Sequence, residues 1–342
     1  HRKMREVRPQ VVFGTPGRLN DHIDKGNLEA ETVGVLVIDE YDKCLEMGFL
    51  AEMSRLAASL PAVRRKVLLS ATKAEEVPAF MRNALKGAPE VVDFLPDDEV
   101  VSDRVLINKV RSEERDKLPA LLQLLCQLGE GKTVVFLNYR DAVGRVADYL
   151  AEAGLDGGRV TPRGGLDQRE REQAVYRFAN GSANVLVSTD LASRGLDIPD
   201  ISHIIHYHLP ETEEAYIHRT GRTARWDKQG ATFFLLGPED ALTAYVQAEI
   251  HDYQLDGGQH PVPRATMATL YIGKGKKDKV SKGDIVGFLC KKGGLKATEI
   301  GRIDVMQRYA YAAVAKSKLS TVLKMTSGEK IKGIRTVVEE IK

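Results

Sequence analysis

A chain of 342 residues with 43% hydrophobic side chains is longer than one average domain and has ample apolar material for packed cores. Its longest apolar runs, Val35-Leu36-Val37-Ile38 and Val185-Leu186-Val187, are strand-sized and far short of the roughly 20 residues of a membrane helix, so no span is expected. Cys44, Cys126 and Cys290 are odd in number and widely scattered, which excludes a disulfide framework or a metal cluster and points to a reducing compartment, with the cytoplasm as the expected location.

The net charge of +2 hides an uneven distribution. From Ala268 to Lys342 there are 17 basic against 7 acidic side chains, a local +10 that leaves −8 upstream. A basic tail after a mildly acidic body favours contact with a phosphate backbone, because each neutralised phosphate releases counterions. The alternative is a lysine-rich solvated surface.

In chain order, strand-like runs at 11–13, 35–38 and 67–69 are followed by others at 133–137, 184–188, 201–206 and 232–236. Between them, residues 117–128, 140–153 and 168–178 repeat their apolar positions at three and four, as amphipathic helices do. This alternation predicts an α/β chain, with parallel sheets covered by helices, occurring twice. Acidic, proline-punctuated residues 94–103 and the Gly257-Gly258, Pro261, Pro263 stretch mark two linkers. The expected units are residues 1–95, 103–250 and 268–342, with 251–267 as the second linker. The tail reads as strand 268–272, helix 282–290, strands 300–305 and 309–314, helix 316–325 and strand 335–341, an α+β, RRM-like order.

The run 35–38 stops at Asp39-Glu40-Tyr41-Asp42. Carboxylates at the carboxyl end of a parallel strand stand at the crevice where such sheets bind ligands. In nucleotide chemistry one such acid holds Mg²⁺, usually through water, and its neighbour orients the attacking water. Asp39 and Glu40 suit those roles, although an acidic turn opening a helix has the same composition.

Neighbouring motifs decide between the two. Thr15-Pro16-Gly17-Arg18-Leu19, Asp39 to Asp42, and Ser70-Ala71-Thr72 are followed by Gln168-x-x-Arg171, Ser188-Thr189-Asp190 through Arg194-Gly195-Leu196-Asp197, and His218-Arg219-Thr220-Gly221-Arg222-Thr223-Ala224-Arg225. In order and spacing these six blocks resemble the motifs of DEAD-box ATP-dependent RNA helicases, over residues 1 to about 250. The resemblance implies two RecA-like domains, the first incomplete, closing on ATP and Mg²⁺ with RNA across one face. It implies catalytic roles for Asp39, Glu40 and the arginine fingers Arg222 and Arg225, nucleotide contacts from Gly195 and Asp197, and coupling through Asp42, Ser70, Thr72 and His218. It places RNA against Thr15, Gly17, Arg18, Gln168, Arg171, Thr189 and Arg194, through the sugar–phosphate backbone and so without sequence preference.

Three departures stand out. Tyr41 replaces the small residue that gives the family its name, and Arg163 stands where many relatives carry His. No Gly-x-x-x-x-Gly-Lys-Ser/Thr run occurs: Gly131-Lys132-Thr133 precedes a strand instead of following one. The chain opens at His1-Arg2-Lys3-Met4, and the resemblance implies that a phosphate-gripping segment precedes it. These residues alone are therefore expected to lack ATPase activity.

The tail, through Thr269 to Lys279, Lys282 to Gly287 and Ile300 to Ile303, resembles the C-terminal domain of DbpA-type helicases, which implies targeting to large-subunit ribosomal RNA. Its expected RNA contacts are Tyr271 on the first strand and Lys274, Lys276, Lys277 and Lys279 in the following loop; Tyr309 and Tyr311 are spaced to share a sheet face. The resemblance carries a cytoplasmic, monomeric enzyme of ribosome assembly. The competing reading is a non-catalytic RNA-binding or scaffold protein.

Overall fold

The computed structural model describes residues 2–46, 48–70, 90–92, 104–155, 157–159, 168–190, 198, 201–224, 229–246 and 249–341. The chain divides into two compact units, His1–Leu95 and Pro96–Lys342.

In the first unit β1 (Val35–Ile38) and β2 (Arg65–Leu68) pair in parallel, Val35 opposite Arg65 and Ile38 opposite Leu68. Period-two alternation sends Leu36 and Ile38 into a core with Met53, Leu56 and Leu60. Val35 and Val37, on the other face, are 55% and 53% exposed. The expected strand at 11–13 is absent. The run is irregular and Phe13 is 93% exposed, because no described strand lies beside it to take up its backbone hydrogen bonds. Tyr41 is a core residue: it is 1% exposed and packs in the same apolar cluster, so the ring that replaces the family's small residue is absorbed by the interior beneath the acidic turn.

The second unit is built on a seven-stranded parallel sheet in the order β5-β6-β4-β7-β8-β3-β9. Its members are β3 (Val105–Arg111), β4 (Thr133–Leu137), β5 (Gly157–Arg159), β6 (Val185–Thr189), β7 (His203–His206), β8 (Gly230–Leu236) and β9 (Ile250–Asp252). β4 and β6 are buried at every position, which explains their unbroken apolar sequence. Alternate residues of β4 go to opposite sides. Val135 and Leu137 join the cluster under the helices Leu118–Leu128 and Arg140–Glu152, while Val134 and Phe136 join Ala174 and Phe178 of the helix Gln168–Ala179. The chain leaves β4 toward β5 and leaves β7 toward β8, in opposite directions, so the switch point of the sheet lies between the carboxyl ends of β4 and β7.

The segment expected as a second linker is a strap. Ile250 to Asp252 add an edge strand beside β3, and Tyr253, Leu255 and Val262 pack on the cluster that holds Val135. Beyond it β10 (Met267–Ile272), β11 (Ile300–Val305), β12 (Ala310–Ala315) and β15 (Val338–Ile341) form an antiparallel sheet in the order β11-β12-β10-β15. The helices Lys282–Lys291 and Leu319–Thr326 cover one face through Ile285, Phe288, Leu289 and Val322. The βαββαβ order matches the expectation. Two details differ: residues 316–318 form a 3₁₀ turn before the helix, and Arg335 belongs to a small hairpin, β13 (Lys330–Ile331) with β14 (Ile334–Arg335), whose tight turn uses Gly333 at φ +79°.

Candidate functional site

The acidic turn of the first unit is set by the pairing of β1 with β2. Leu69 N–H donates to Ile38 O (2.9 Å) and Tyr41 N–H to Leu69 O (3.0 Å), so Asp39-Glu40 and Ser70 leave the sheet side by side. Asp39 is exposed, and its Oδ1 accepts the Glu40 N–H at 3.0 Å. Glu40 has φ +48°, a left-handed backbone that a β-carbon disfavours and that is held here at the strand-to-helix corner. No group of three metal-binding side chains occurs among the described residues. A carboxylate such as Asp39 nevertheless suits Mg²⁺ bound in the usual sparse manner, with one or two carboxylates while water and substrate phosphates complete the shell.

Thr15 precedes the helix Pro16–Asp24 with extended backbone, and its side chain makes no capping hydrogen bond. Pro16 starts the helix where a missing N–H costs nothing. Gly17 is exposed, with nothing within 4 Å of where a β-carbon would stand, so its bareness leaves the backbone open and serves no internal packing. Arg18 is exposed and pairs with Asp21 at 3.3 Å, a surface contact of little energetic weight.

In the second unit the centre of the site is a residue the sequence reading passed over. Arg219, from the helix Glu213–Thr220, is 1% exposed. Its Nε and Nη2 donate to the two carboxylate oxygens of Asp190 at 2.6 and 2.7 Å. Nη2 also donates to Asn138 Oδ1 (2.7 Å) and Nη1 to His208 O (2.8 Å), while the guanidinium lies 5.3 Å from the centre of the Phe136 ring. The carboxyl ends of β4, β6 and β7 are thereby tied to one helix. The signal in the sequence was an Arg inside a helix turn with an Asp at the end of a buried strand, a pair whose closeness only topology reveals.

Thr189 is buried at the end of β6, directly before Asp190. On the other side of Arg219, His218 occupies the same helix and Arg222 follows in a turn closed by its N–H to Arg219 O at 3.1 Å. That turn is held again by Thr223 Oγ1, which donates to Ile201 O at 2.6 Å, and Gly230 is required opposite it because a β-carbon would meet Thr223 Oγ1 at 2.1 Å. Burial and the neighbouring cations Lys117 and Arg219 push His208 down to about 4, and burial with Arg219 holds His206 well below the ordinary histidine range, so both rings are neutral at neutral pH. Thr72, Arg163, Arg194, Gly195, Asp197 and Arg225 lie outside the described residues, as do the side chains of Gln168 and Arg171.

In the tail, Lys276, Lys277 and Lys279 are exposed on a loop fixed by its backbone: Lys276 N–H donates to Met306 O (2.8 Å) and Lys277 N–H to Gln307 O (2.9 Å). Gly275 fits only without a side chain, since a β-carbon would come within 2.4 Å of Met306 O. Lys274 pairs with Asp278 at 3.5 Å. Lys332 Nζ donates to Lys279 O at 2.8 Å, which joins the hairpin with Lys330 and Arg335 to the same basic face.

The aromatic face of the tail sheet has another occupant. Tyr271, Tyr309 and Tyr311 cluster with ring centres 5.1 to 6.2 Å apart. Tyr311 is 1% exposed because Tyr176, from the helix Gln168–Ala179, packs on it at 4.8 Å. Tyr176 O–H also donates to Met306 Sδ (3.6 Å), Asn180 Nδ2 donates to Thr269 Oγ1 (2.8 Å), and Thr269 Oγ1 donates to Ser182 Oγ (2.9 Å). Tyr271 and Tyr309 are partly open beside this contact.

Three family models match the chain in order: DEAD/DEAH box helicase over residues 1–80, the helicase conserved C-terminal domain over 116–227 and the DbpA RNA binding domain over 269–340. The ATP-dependent RNA helicase DbpA of Escherichia coli (strain K12) is 35% identical over 335 residues, covering 95% of this chain and 71% of that protein. The chain belongs to the DEAD-box RNA helicases, in their DbpA branch. The Bacillus subtilis (strain 168) DbpA helicase is 30% identical, covering 94% of the chain and 72% of its own length. Among solved structures, S. cerevisiae Dbp5 bound to RNA and ADP BeF3 matches with a TM-score of 0.62 and 26% identity, over 72% of this chain and 66% of that one. Family membership makes it an enzyme type that uses ATP and acts on RNA, and no described helix is long and apolar enough to cross a membrane.

The tail contact generates a direct test. Tyr176→Ala combined with Thr269→Val should leave both folded parts intact but free the tail, read as a larger radius of gyration in solution scattering and faster proteolysis within 253–266. An unchanged radius and cleavage rate would show that these side chains do not hold the tail.

Proposed function

We propose that this protein is an ATP-dependent RNA helicase that opens short structured segments of RNA, with large-subunit ribosomal RNA as target and the tail as the address. Residues 1–95 and 103–250 act as the two helicase domains, the strap 251–267 connects them to the tail, and 268–342 binds RNA. The observation that carries the reading is the single buried junction at Arg219, with the Thr189 end of a strand on one side and the His218–Arg222 segment on the other. One network then serves an RNA contact and an arginine finger together.

In this reading Asp39 would hold Mg²⁺ and Glu40 would orient the attacking water. Arg222 and Arg225 supply planar cations to the charge that grows on the transferring phosphoryl group. Bound Mg²⁺ neutralises phosphate charge. Gly195 and Asp197 contact the nucleotide, and Asp42, Ser70, Thr72 and His218 couple it to RNA. Thr15, Gly17, Arg18, Gln168, Arg171, Thr189 and Arg194 grip the RNA backbone, and Lys274, Lys276, Lys277 and Lys279, with Tyr271 at the margin of the docked sheet, serve the tail's RNA. The enzyme works as a cytoplasmic monomer.

The 342 residues alone should bind RNA without hydrolysing ATP. In a protein that joins them to a glycine-rich phosphate loop, Arg222→Ala should cut RNA-stimulated ATP turnover by about 10³-fold or more while RNA binding by the tail persists; normal turnover would remove Arg222 from the mechanism. In the same protein, deleting 268–342 should spare turnover on generic duplexes and abolish the preference for ribosomal RNA. Equal preference before and after deletion would mean that the tail is not the address.

A further inference from the structure

Tyr139 is anomalous in its setting. Apart from Leu106, it is the only large hydrophobic residue between 104 and 266 that stands out among the described residues as exposed, at 63%. It is also in the least casual position available. It lies two residues beyond the end of β4, at the switch point between β4 and β7, where open parallel sheets take their ligands. Leu137 pairs with Thr189 across the β4–β6 ladder, so the backbone that carries Tyr139 rises beside the strand end assigned to the RNA backbone.

The platform beneath it is rigid. Asn138 N–H donates to His208 Nδ1 at 3.2 Å, its Nδ2 donates to Leu209 O at 3.0 Å, and its Oδ1 is held by Arg219. The His208 ring meets the Tyr139 ring edge-on at 5.5 Å. Because His208 Nδ1 accepts a hydrogen bond and the ring is neutral, the proton sits on Nε2 and the imidazole carries no charge. A solvent-facing tyrosine of this kind offers a phosphate one hydroxyl donor and no cation, and offers a nucleobase its whole ring face.

We propose that Tyr139, braced by His208, is a stacking platform for an unpaired RNA base whose neighbouring phosphate lies at Thr189. The inference rests on the RNA reading of that strand end and adds to it a contact with a base, which backbone recognition alone does not include. Stacking needs no particular base, so it would grip single strands and favour the opened product without imposing a sequence.

The test uses the 342-residue chain, a short single-stranded uridylate oligomer and the same strand built from abasic sugar–phosphate units. Tyr139→Ala should weaken uridylate binding about tenfold, and Tyr139→Phe should stay within about twofold of the parent. The abasic strand should bind the parent and the Ala variant equally, and the dependence on salt should not change, since no ion pair is lost. With 4-thiouridine in the strand, irradiation should crosslink the peptide containing Tyr139. Parental affinity in Tyr139→Ala, or an equal loss on the abasic strand, would overturn the stacking role. If Arg171→Ala and Arg194→Ala weaken binding while Tyr139→Ala does not, the backbone reading stands and only this inference falls. If the parent shows no salt-dependent affinity for the uridylate, both fall. Weaker binding of free ATP by Tyr139→Ala with RNA unaffected would assign the ring to the nucleotide's adenine and likewise overturn the proposal.

Discussion

The guanidinium of Arg219 sits almost wholly out of water, and the strand ends of the second unit are arranged around keeping it there. Burying a charge of this kind costs several kcal/mol unless partners replace the lost water. Here two carboxylate oxygens, an amide oxygen, a backbone carbonyl and the face of Phe136 do so. Those partners come from the ends of three different strands. Each strand end is therefore fixed in height relative to the others and to the helix that carries His218, and a shift at one leaves the buried guanidinium short of a partner. That rigidity is what would let the RNA contact and the phosphate contact proposed above work from one element.

The tail shows a different use of side chains. An RRM-like sheet offers aromatic rings on one face, and in this chain part of that face is spent on architecture. Tyr176 closes over Tyr311, and the Asn180, Ser182 and Thr269 hydrogen bonds pin the edge. Among the exposed cations of the tail, Lys276, Lys277, Lys279 and Lys330 lie instead on a loop and a hairpin that the Lys332 side chain ties together through Lys279 O. The helix Gln168–Ala179 thus begins at the motif proposed to hold RNA and ends as the seat of the tail. With the strap 253–262 packed on the sheet domain, the tail is carried rather than tethered.

Much of this was legible in the sequence because local pattern and tertiary role coincide. Strands buried on both faces, β4 and β6, have continuous apolar runs, and their helices have clear three–four periodicity, so their limits fall within a residue or two of expectation. The run at 11–13 has the same local composition and is not a strand, because pairing depends on a neighbour that composition does not report. β9 was hidden for the opposite reason: a three-residue edge strand gives too short a pattern to separate from a linker. Motif order announced the family, but not the meeting of Asn138, Asp190 and Arg219, residues up to 81 positions apart. Tyr176 carried no signal at all, since a tyrosine on an amphipathic helix reads as ordinary core or surface.

The central claim is that Asp190 and Arg219 act as one unit that holds the strand ends together. A double-mutant cycle with Asp190→Asn, Arg219→Gln and the pair, followed by denaturant unfolding of the second unit, measures this directly. The account predicts that each single change costs most of what the double change costs, with a coupling of about 2 kcal/mol or more. Costs that add to within about 0.5 kcal/mol would mean that the two residues act independently, and would contradict it.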